Sequence, residues 1–328
     1  MLNKNDRLLL EELQDGFPLV PRPYSRIAAR IGISEKALIR KLKRLKKAKV
    51  IRYVGAIFDN RALGVKSTLV AMAVPKNSLS RVADLINAFP QVSHNYLRDD
   101  EFNLWFTLSA ADKDSLKKLL ARIKKETGIK KCLGLDTVRV FKINARFDLR
   151  TGGKTAGKMP GGCKRHCGTA SAAEIKYISG LNKPLAITER PFAPLADKLG
   201  LSEERVLSLL AGYKKKGWLR RIGVILDHLS AGLRSNALVV WKVPEERIGE
   251  AAKDFSAFAG ISHCYQRCVF PDWPYNIYTM LHAADKRSAV ELIKRISAST
   301  GLKQYRALFT LKELKKEKTD LEKIFNLC

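Results

Sequence analysis

Apolar residues recur at helical spacing in three short segments near the start of the chain. The first segment runs from Asn3 to Gln14 and the second from about Tyr24 to Ile31. Gly32 then makes a turn, and Ser34 is a good N-cap for a third amphipathic segment over residues 35–48. Two short helices followed by a tight turn and a third helix predict a helix-turn-helix.

The residues after the third helix alternate between strand and helix patterns. Residues 50–59 predict a wing-like strand that follows the helix-turn-helix. The further predicted elements, in chain order, are strand 66–74, helix 78–88, strand 91–98, strand 102–110, helix 112–126 and strand 130–142. This β-α-β-β-α-β order is the ferredoxin-like arrangement.

The same order of motifs occurs twice along the chain. Ile27 to Glu35 returns 168 residues later as Leu195 to Glu203, and Ser93-His94 returns 169 residues later as Ser262-His263. Later equivalents are displaced by four further residues, because the second copy carries an insertion that contains Pro271-Asp272-Trp273-Pro274. A repeat that keeps its order over such a length predicts two copies of one structural unit.

The predicted fold class is therefore α+β, as a tandem repeat of a winged helix-turn-helix and a ferredoxin-like αβ sandwich. The predicted domains are 1–62 (first winged helix-turn-helix), 63–150 (first sandwich), 151–170 (Gly-rich linker), 171–231 (second winged helix-turn-helix), 232–314 (second sandwich) and 315–328 (C-terminal tail helix). Each half is long enough to bury its own core.

Composition adds a strong positive charge to this picture. The chain has 61 Lys and Arg against 32 Asp and Glu, a formal net charge of +29, which attracts polyanions. Nucleic acid and a small molecule with many carboxylates are both candidate partners, and charge alone does not choose between them.

No apolar run approaches the roughly 20 residues of a membrane helix and the first residues lack a signal-peptide pattern, so we expect a cytoplasmic protein with no membrane partner. The six cysteines are dispersed, which favours reduced thiols.

Two equivalent strands carry the pattern Ser-His-x-Tyr-x-Arg. They are Val92 to Arg98 in the first copy and Ile261 to Arg267 in the second. Because successive side chains of a strand alternate between its faces, the histidine, tyrosine and arginine are expected on one face together with Val92 in the first copy. The residues predicted on this face are His94, Tyr96 and Arg98 in the first copy and His263, Tyr265 and Arg267 in the second.

The helix-turn-helix with its following sandwich is similar to the AsnC/Lrp transcription regulators, and Val54 to Asp59 matches their junction between domains. Those regulators have one such unit per chain, and their sandwich normally lacks a histidine-rich strand. The two histidine strands, followed by Phe102 to Phe106 and by Tyr275 to Tyr278, resemble the signature of siroheme decarboxylases, AsnC-like proteins of haem d1 formation and of the alternative haem pathway. In that family two paralogous subunits pair, and both would lie in this one chain.

The resemblance implies a carboxy-lyase that converts siroheme to 12,18-didecarboxysiroheme. Each carbon left by departing carbon dioxide must be protonated, and histidine titrates in the range that suits this step, so His94 and His263 are expected to be catalytic. The macrocycle is its own electron sink, so no metal site and no cofactor beyond the iron tetrapyrrole substrate is expected. The residues expected to bind the substrate are Tyr96, Arg98, Asn103, Trp105, Tyr265, Arg267, Asn276 and Tyr278. Trp273 offers a further aromatic face for a flat tetrapyrrole.

A DNA-binding transcription regulator is the alternative hypothesis. Residues 36–52 contain nine basic residues and no acidic one, which suits a recognition helix. The corresponding helix of the second copy opens with Glu203, Glu204 and Arg205, and its basic residues gather at 214–216. This mismatch disfavours a matched pair of DNA-reading helices. His228 and His282 correspond to Asn60 and Ser109 of the first copy, so we expect both histidines to be structural. The assembly is expected to be a pseudo-dimer of the two halves or a homo-oligomer.

Overall fold

The computed structural model describes residues 4–14, 16–143, 170–227 and 235–326. The elements of the first copy are α1 (Lys4–Leu13), α2 (Pro23–Arg30), α3 (Glu35–Lys47), β1 (Ile51–Phe58), β2 (Lys66–Met72), α4 (Leu79–Ala88), β3 (Val92–Arg98), β4 (Leu104–Ala110), α5 (Lys113–Thr127) and β5 (Cys132–Ile143). Those of the second copy are α6 (Ala172–Leu181), β6 (Pro184–Leu185), α7 (Ala193–Leu199), α8 (Glu203–Lys215), β7 (Leu219–Leu226), β8 (Ser235–Trp241), α9 (Ile248–Ala257), β9 (Ile261–Arg267), β10 (Ile277–Ala283), α10 (Lys286–Thr300), β11 (Tyr305–Lys316) and α11 (Leu321–Ile324). The fold class predicted from the sequence is confirmed, whereas the predicted linker 151–170 lies outside the described residues except for its last residue.

The described chain falls into two compact units, one with both helix-turn-helix segments and one with both sandwiches. Ser34 caps α3 as expected, because its hydroxyl accepts a hydrogen bond from the backbone N–H of Ala37. The strands that were predicted as wings pair with each other: β1 and β7 are antiparallel, and the short β6 adds to the other edge of β1. Across the described ranges, none of the helices has both the length and the apolar character needed to span a membrane.

Gly55 and Gly223 lie directly opposite each other in the β1–β7 pair, but their surroundings differ. A Cβ on Gly223 would lie 2.6 Å from the carbonyl oxygen of Leu13 and closer still to that of Gln14, both backbone atoms that end α1. A Cβ on Gly55 would meet its nearest atom, the carbonyl oxygen of Lys183, at 3.4 Å. Only the glycine of the second copy is therefore required by close backbone approach.

We expect Gly223→Ala to destabilise the helix-turn-helix unit by about 1–3 kcal/mol, because the added methyl group collides with backbone rather than with a flexible side chain. Gly55→Ala is the matched control, and its effect should stay within about 0.5 kcal/mol. Thermal unfolding of the two variants compares them directly. Equal losses of Tm in both variants would contradict this assignment.

The two sandwiches have the same internal strand order. It is β5-β2-β4-β3 in the first copy and β11-β8-β10-β9 in the second, the ferredoxin-like order in which the last strand lies beside the first. Helices α4 and α5 cover one face of the first sheet through Val82, Ile86 and Ile123. Helices α9 and α10 cover the second sheet in the same way.

The two sheets join into a closed barrel, because the last strand of each copy pairs with a histidine strand of the other. Strand β11 pairs with β3, and β5 pairs with β9. Both last strands are 12 residues long, so they reach beyond their own sheet. Strand β11 runs to Lys316, two residues into the segment that was predicted as a tail helix, and α11 spans only four residues. That prediction was wrong in extent because the strand continues to pair across the copies.

Two equivalent lysines stabilise the strand pairing between the two copies. The Nζ of Lys142 donates to the carbonyl oxygens of Ser256 and Phe258 at the end of α9, and the Nζ of Lys315 donates to those of Asn87 and Phe89 at the end of α4. A positive charge stabilises the carbonyl end of a helix. Burial lowers the pKa of Lys142, because it disfavours the charged ammonium form.

Candidate active site

A β-bulge precedes the histidine in both polar strands. The pairing of β3 with β4 shifts between Val92 and His94, and that of β9 with β10 shifts at the equivalent place. Val92 packs in the helix-covered core, whereas His94 lies opposite Thr107 on the other face of the sheet. The prediction that Val92 shares the face of His94 was therefore wrong, because the bulged Ser93 breaks the alternation that Val92 would otherwise follow.

In the first copy, the face of the histidine strand is bounded by both neighbouring strands. His94 lies beside Lys316 of β11, and Tyr96 lies between Trp105 of β4 and Glu313 of β11. The rings of His94 and Tyr96 stack with centroids 6.3 Å apart. Both side chains are half-buried, so each keeps part of its surface exposed to solvent. We call this face the first site.

The second site repeats this arrangement on β9. His263 lies beside Ile143 of β5, and Tyr265 lies between Tyr278 of β10 and Val140 of β5. The histidine and tyrosine rings stack with centroids 6.0 Å apart. Each site therefore consists of a histidine strand from one copy and a last strand from the other, with a Glu313–Lys316 ion pair on the first and two aliphatic residues on the second.

Arg98 and Arg267 occupy equivalent positions at the ends of these strands, where Arg98 is buried and Arg267 is half-buried. In each, Nη1 donates to a backbone carbonyl and to a threonine hydroxyl of the partner strand: Leu308 and Thr310 for Arg98, Leu135 and Thr137 for Arg267. Burial lowers the pKa of Arg98 to about 10 and lowers that of Arg267 as well.

Among the residues that the structure describes, neither arginine forms a direct ion pair, although the carboxylate of Asp136 is close enough to raise the pKa of Arg267 against the effect of burial. The Nε of each arginine is buried without a hydrogen-bond partner there. Each guanidinium lies over the ring of the tyrosine two residues earlier, at 5.4 Å for Tyr96 and 5.1 Å for Tyr265. A buried cation without an anion is unfavourable. Contact of either arginine with a substrate anion stays a prediction.

A serine contacts each histidine at Nδ1. The distance from the hydroxyl oxygen to Nδ1 is 3.0 Å between Ser93 and His94, and 2.7 Å between Ser262 and His263. The bulges that displace the two serines bring their hydroxyl groups beside the imidazoles. Nδ1 of each imidazole is thus in contact with a serine hydroxyl.

The two asparagines predicted to bind substrate make other contacts in this structure. Asn103 bonds both backbone groups of Val74, at 3.0 Å and 2.8 Å, and Asn276 bonds both backbone groups of Val243, at 2.9 Å and 2.7 Å. In each asparagine the side-chain oxygen accepts one of these bonds and the side-chain NH2 group donates the other, which holds the backbone that follows β2 or β8. Substrate contact by Asn103 or Asn276 stays a prediction.

The three predicted aromatic faces, Trp105, Tyr278 and Trp273, lie in a closed cluster inside the barrel. All three are at most 1% exposed. Trp273, which comes from the four-residue insertion, packs edge to face on Phe102 and donates through Nε1 to the hydroxyl of Tyr278 at 2.8 Å. Their rings thus contact one another, whereas Tyr96 and Tyr265 on the histidine strands are half-buried.

Sequence reasoning missed the residues that β5 and β11 add to the sites. Among these are Thr137, Thr310, Glu313 and Lys316, and the signal for them was the unusual length of the last strand in each copy. Within the described part of the chain, no cluster of three or more His, Cys, Asp or Glu side chains is suited to a metal ion.

The helix-turn-helix unit has a separate basic surface. Its exposed residues on α3 include Lys36, Arg40 and Lys43. A shallow cavity of about 440 Å³ beside this helix is lined by Lys43, Lys46, Lys47, Ile187 and Thr188. The corresponding helix α8 has Glu204, Ser208 and Ala211 at these three positions and keeps exposed lysines only at its C-terminal end, so its basic face is less extensive.

Comparisons with known proteins agree with the duplicated architecture. Residues 62–142 and 230–315 match the AsnC-like ligand binding domain, and residues 6–52 and 176–220 match the siroheme decarboxylase NirDL-like HTH domain. The siroheme decarboxylase of Hydrogenobacter thermophilus is 36% identical over 96% of this chain and 94% of its own length. The crystal structure of the siroheme decarboxylase NirDL superimposes with a TM-score of 0.76 at 32% identity and covers 98% of this chain and 96% of that one. A crystal structure of NirDL in co-complex with an iron-uroporphyrin III analogue has a TM-score of 0.75 at 31% identity, with the same coverage.

Proposed function

This chain belongs to the siroheme decarboxylase family, and on that premise we propose that it is a carboxy-lyase that converts siroheme to 12,18-didecarboxysiroheme. Both halves of the paired enzyme lie in one polypeptide, with the two sandwiches as a pseudo-dimer. The product would feed haem d1 formation or the alternative haem pathway. The iron tetrapyrrole is the substrate, and the proposal includes no further cofactor.

The observation that carries the proposal is a pair of equivalent arginines, each with a buried Nε that has no hydrogen-bond partner among the described residues and each on the same strand as a half-buried histidine and tyrosine. Siroheme has carboxylate side chains on every ring, and such groups are the anions that an arginine binds most strongly. The co-crystallised relative, whose ligand is an iron-uroporphyrin III analogue, supports a tetrapyrrole as the ligand. The net charge of +29 favours the approach of a polyanionic substrate.

Each decarboxylation breaks the bond between an acetate methylene carbon and its carboxylate. Carbon dioxide leaves, the electron pair of the broken bond is delocalised into the macrocycle, and a proton converts the methylene carbon into a methyl group. We assign that proton to Nε2 of His94 or His263, since Nδ1 of each contacts a serine. Each turnover consumes one proton, which the imidazole regains from solvent.

Arg98 and Arg267 are assigned to carboxylates that stay on the macrocycle. A guanidinium that held the leaving carboxylate would stabilise the ground-state anion and raise the barrier. Holding a neighbouring propionate or acetate instead fixes the ring so that the reacting carbon lies near the histidine. Tyr96 and Tyr265 contribute half-buried aromatic surface beside that position.

Anaerobic incubation of the purified chain with siroheme tests the proposal. Mass spectrometry should detect products that are lighter by one and then by two carbon dioxide units. The double variant His94→Ala/His263→Ala is the matched control and should bind the tetrapyrrole without changing its mass. A coloured complex of the unaltered chain whose ligand never loses mass would indicate a carrier and refute the lyase.

The alternative, a DNA-binding regulator, is favoured only by the exposed basic face of α3. If it were right, one DNA fragment would shift in a sequence-specific and salt-dependent manner. The uncharged and acidic residues at the corresponding positions of α8 disfavour a palindromic site. The comparisons also favour the decarboxylase.

A further inference from the structure

Ser262 joins two histidines in the second site. Its hydroxyl oxygen lies 2.7 Å from Nδ1 of His263, 3.0 Å from Nε2 of His282 and 3.2 Å from the carbonyl oxygen of Met280. Ser262 is completely buried and sits at the β-bulge, so its hydroxyl is held between strands β9 and β10. His282 is half-buried on β10.

Counting protons fixes the direction of these three contacts. A hydroxyl has one proton to donate and two lone pairs to accept with, and a carbonyl oxygen only accepts. All three contacts are hydrogen bonds only if Ser262 donates to Met280 while both imidazoles donate to Ser262. His263 then carries its proton on Nδ1 when it is neutral, and His282 carries its proton on Nε2.

The first site lacks this arrangement. His94 contacts Ser93 at 3.0 Å, but Ser109 occupies the position that corresponds to His282. Without the second imidazole, a serine hydroxyl can donate to Nδ1 as readily as accept from it. The contacts of Ser262 therefore fix the tautomer of His263, whereas the contact between Ser93 and His94 does not by itself fix that of His94.

We propose that His282 is a positioning residue that, through Ser262, holds neutral His263 as the Nδ1–H tautomer and makes Nε2 the atom at which it exchanges protons with the substrate. This inference rests on the proposed function and deepens it. In the decarboxylation step the imidazolium of His263 gives its Nε2 proton to the methylene carbon and keeps its Nδ1 proton. The bond from Nδ1 to Ser262 is thus the same before and after transfer, and the ring does not have to turn.

Nitrogen-15 NMR of histidine-labelled protein tests the tautomer directly. The chain has only five histidines, so the His263 signals can be assigned as those that disappear in His263→Gln. At about two pH units above the ordinary histidine pKa of about 6.5, we expect His263 to show a protonated Nδ1 and a bare Nε2. If the unaltered protein instead shows His263 with its proton on Nε2, the proposal is overturned, and no variant of His282 is needed to reach that conclusion.

Two variants of His282 distinguish a positioning role of this residue from a purely structural one. His282→Ala should leave His263 as a mixture of tautomers, whereas His282→Gln, whose amide N–H can replace the Nε2–H, should keep the Nδ1–H form. The signals of His94 should be unchanged in both, which reports that the barrel is intact. An unchanged His263 tautomer in His282→Ala would overturn the proposal.

Activity gives a second readout. We expect His282→Ala to lower kcat about tenfold with KM within twofold, and His282→Gln to recover most of the loss, since orientation rather than affinity is affected. An unchanged kcat would overturn the positioning role. Failure of the unaltered protein to release carbon dioxide from siroheme would instead refute the proposed function. The NMR experiment would still test the tautomer of His263, because it does not depend on activity.

Discussion

The double variant His94→Ala/His263→Ala is expected to release carbon dioxide from siroheme at least about 100-fold more slowly than the unaltered chain, because a positioned general acid contributes about 10²–10⁴ to such a step. Binding should persist, since the arginines and tyrosines remain. Anaerobic rate measurements by mass spectrometry, with dissociation constants from the tetrapyrrole absorption bands, separate the two effects. His166→Ala, which removes a histidine of the predicted linker, is the control and should be fully active.

The two single variants extend this prediction. If each site removes one carboxylate, each single variant should accumulate a product that is lighter by one carbon dioxide unit. If only one site is catalytic, one single variant should match the double variant and the other should match the unaltered chain. Full activity in the double variant would remove the histidines from the mechanism.

Arg98→Met and Arg267→Met are expected to weaken siroheme binding about 10- to 100-fold each, since a charge-assisted hydrogen bond contributes about 1.5–3 kcal/mol. Methionine keeps a similar volume, and the relief of a buried unpaired charge offsets the lost bonds to the partner strand. We therefore expect little change in Tm. Equilibrium titration with siroheme and thermal unfolding measure the two quantities.

Arg139→Met is the matched control for the arginine variants. Arg139 is an exposed residue of β5, so its replacement removes the same charge from the same sheet without removing a buried guanidinium. Its effect on affinity should stay within about threefold. A large loss of Tm in Arg98→Met with unchanged affinity would show that this arginine serves only to join β3 to β11.

Local structure could be predicted from the sequence because it depends on local patterns. The Ser34 cap fixes where α3 begins, and apolar periodicity placed the strands and helices of both sandwiches within a few residues of their observed bounds. Strand pairing between the copies could not be predicted in this way. It depends on the length of β5 and β11 and on which edges remain open once each sandwich has formed.

The site was predictable in its residue types but not in its contacts. Duplication of the histidine, tyrosine and arginine pattern predicted two equivalent strands, which are β3 and β9, and the role of these residues stays a prediction. The bulge at Ser93 shifts by one residue the alternation of side chains between the two faces of the strand. The sequence of one strand does not predict such an extra residue, because a bulge is defined by the pairing with the neighbouring strand. The burial of Arg98 and the link from Ser262 to His282 both arise from neighbouring strands, so they become visible only in three dimensions.

The central claim is that each histidine strand, completed by the last strand of the other copy, binds a tetrapyrrole through its buried arginine. A crystal of the chain soaked anaerobically with siroheme tests this most directly. The account predicts a macrocycle over Tyr96 or Tyr265, with a retained carboxylate at Arg98 or Arg267 and an acetate methylene carbon near Nε2 of His94 or His263. A macrocycle bound instead in the lysine-lined cavity beside α3, with both histidine strands unoccupied, would contradict it.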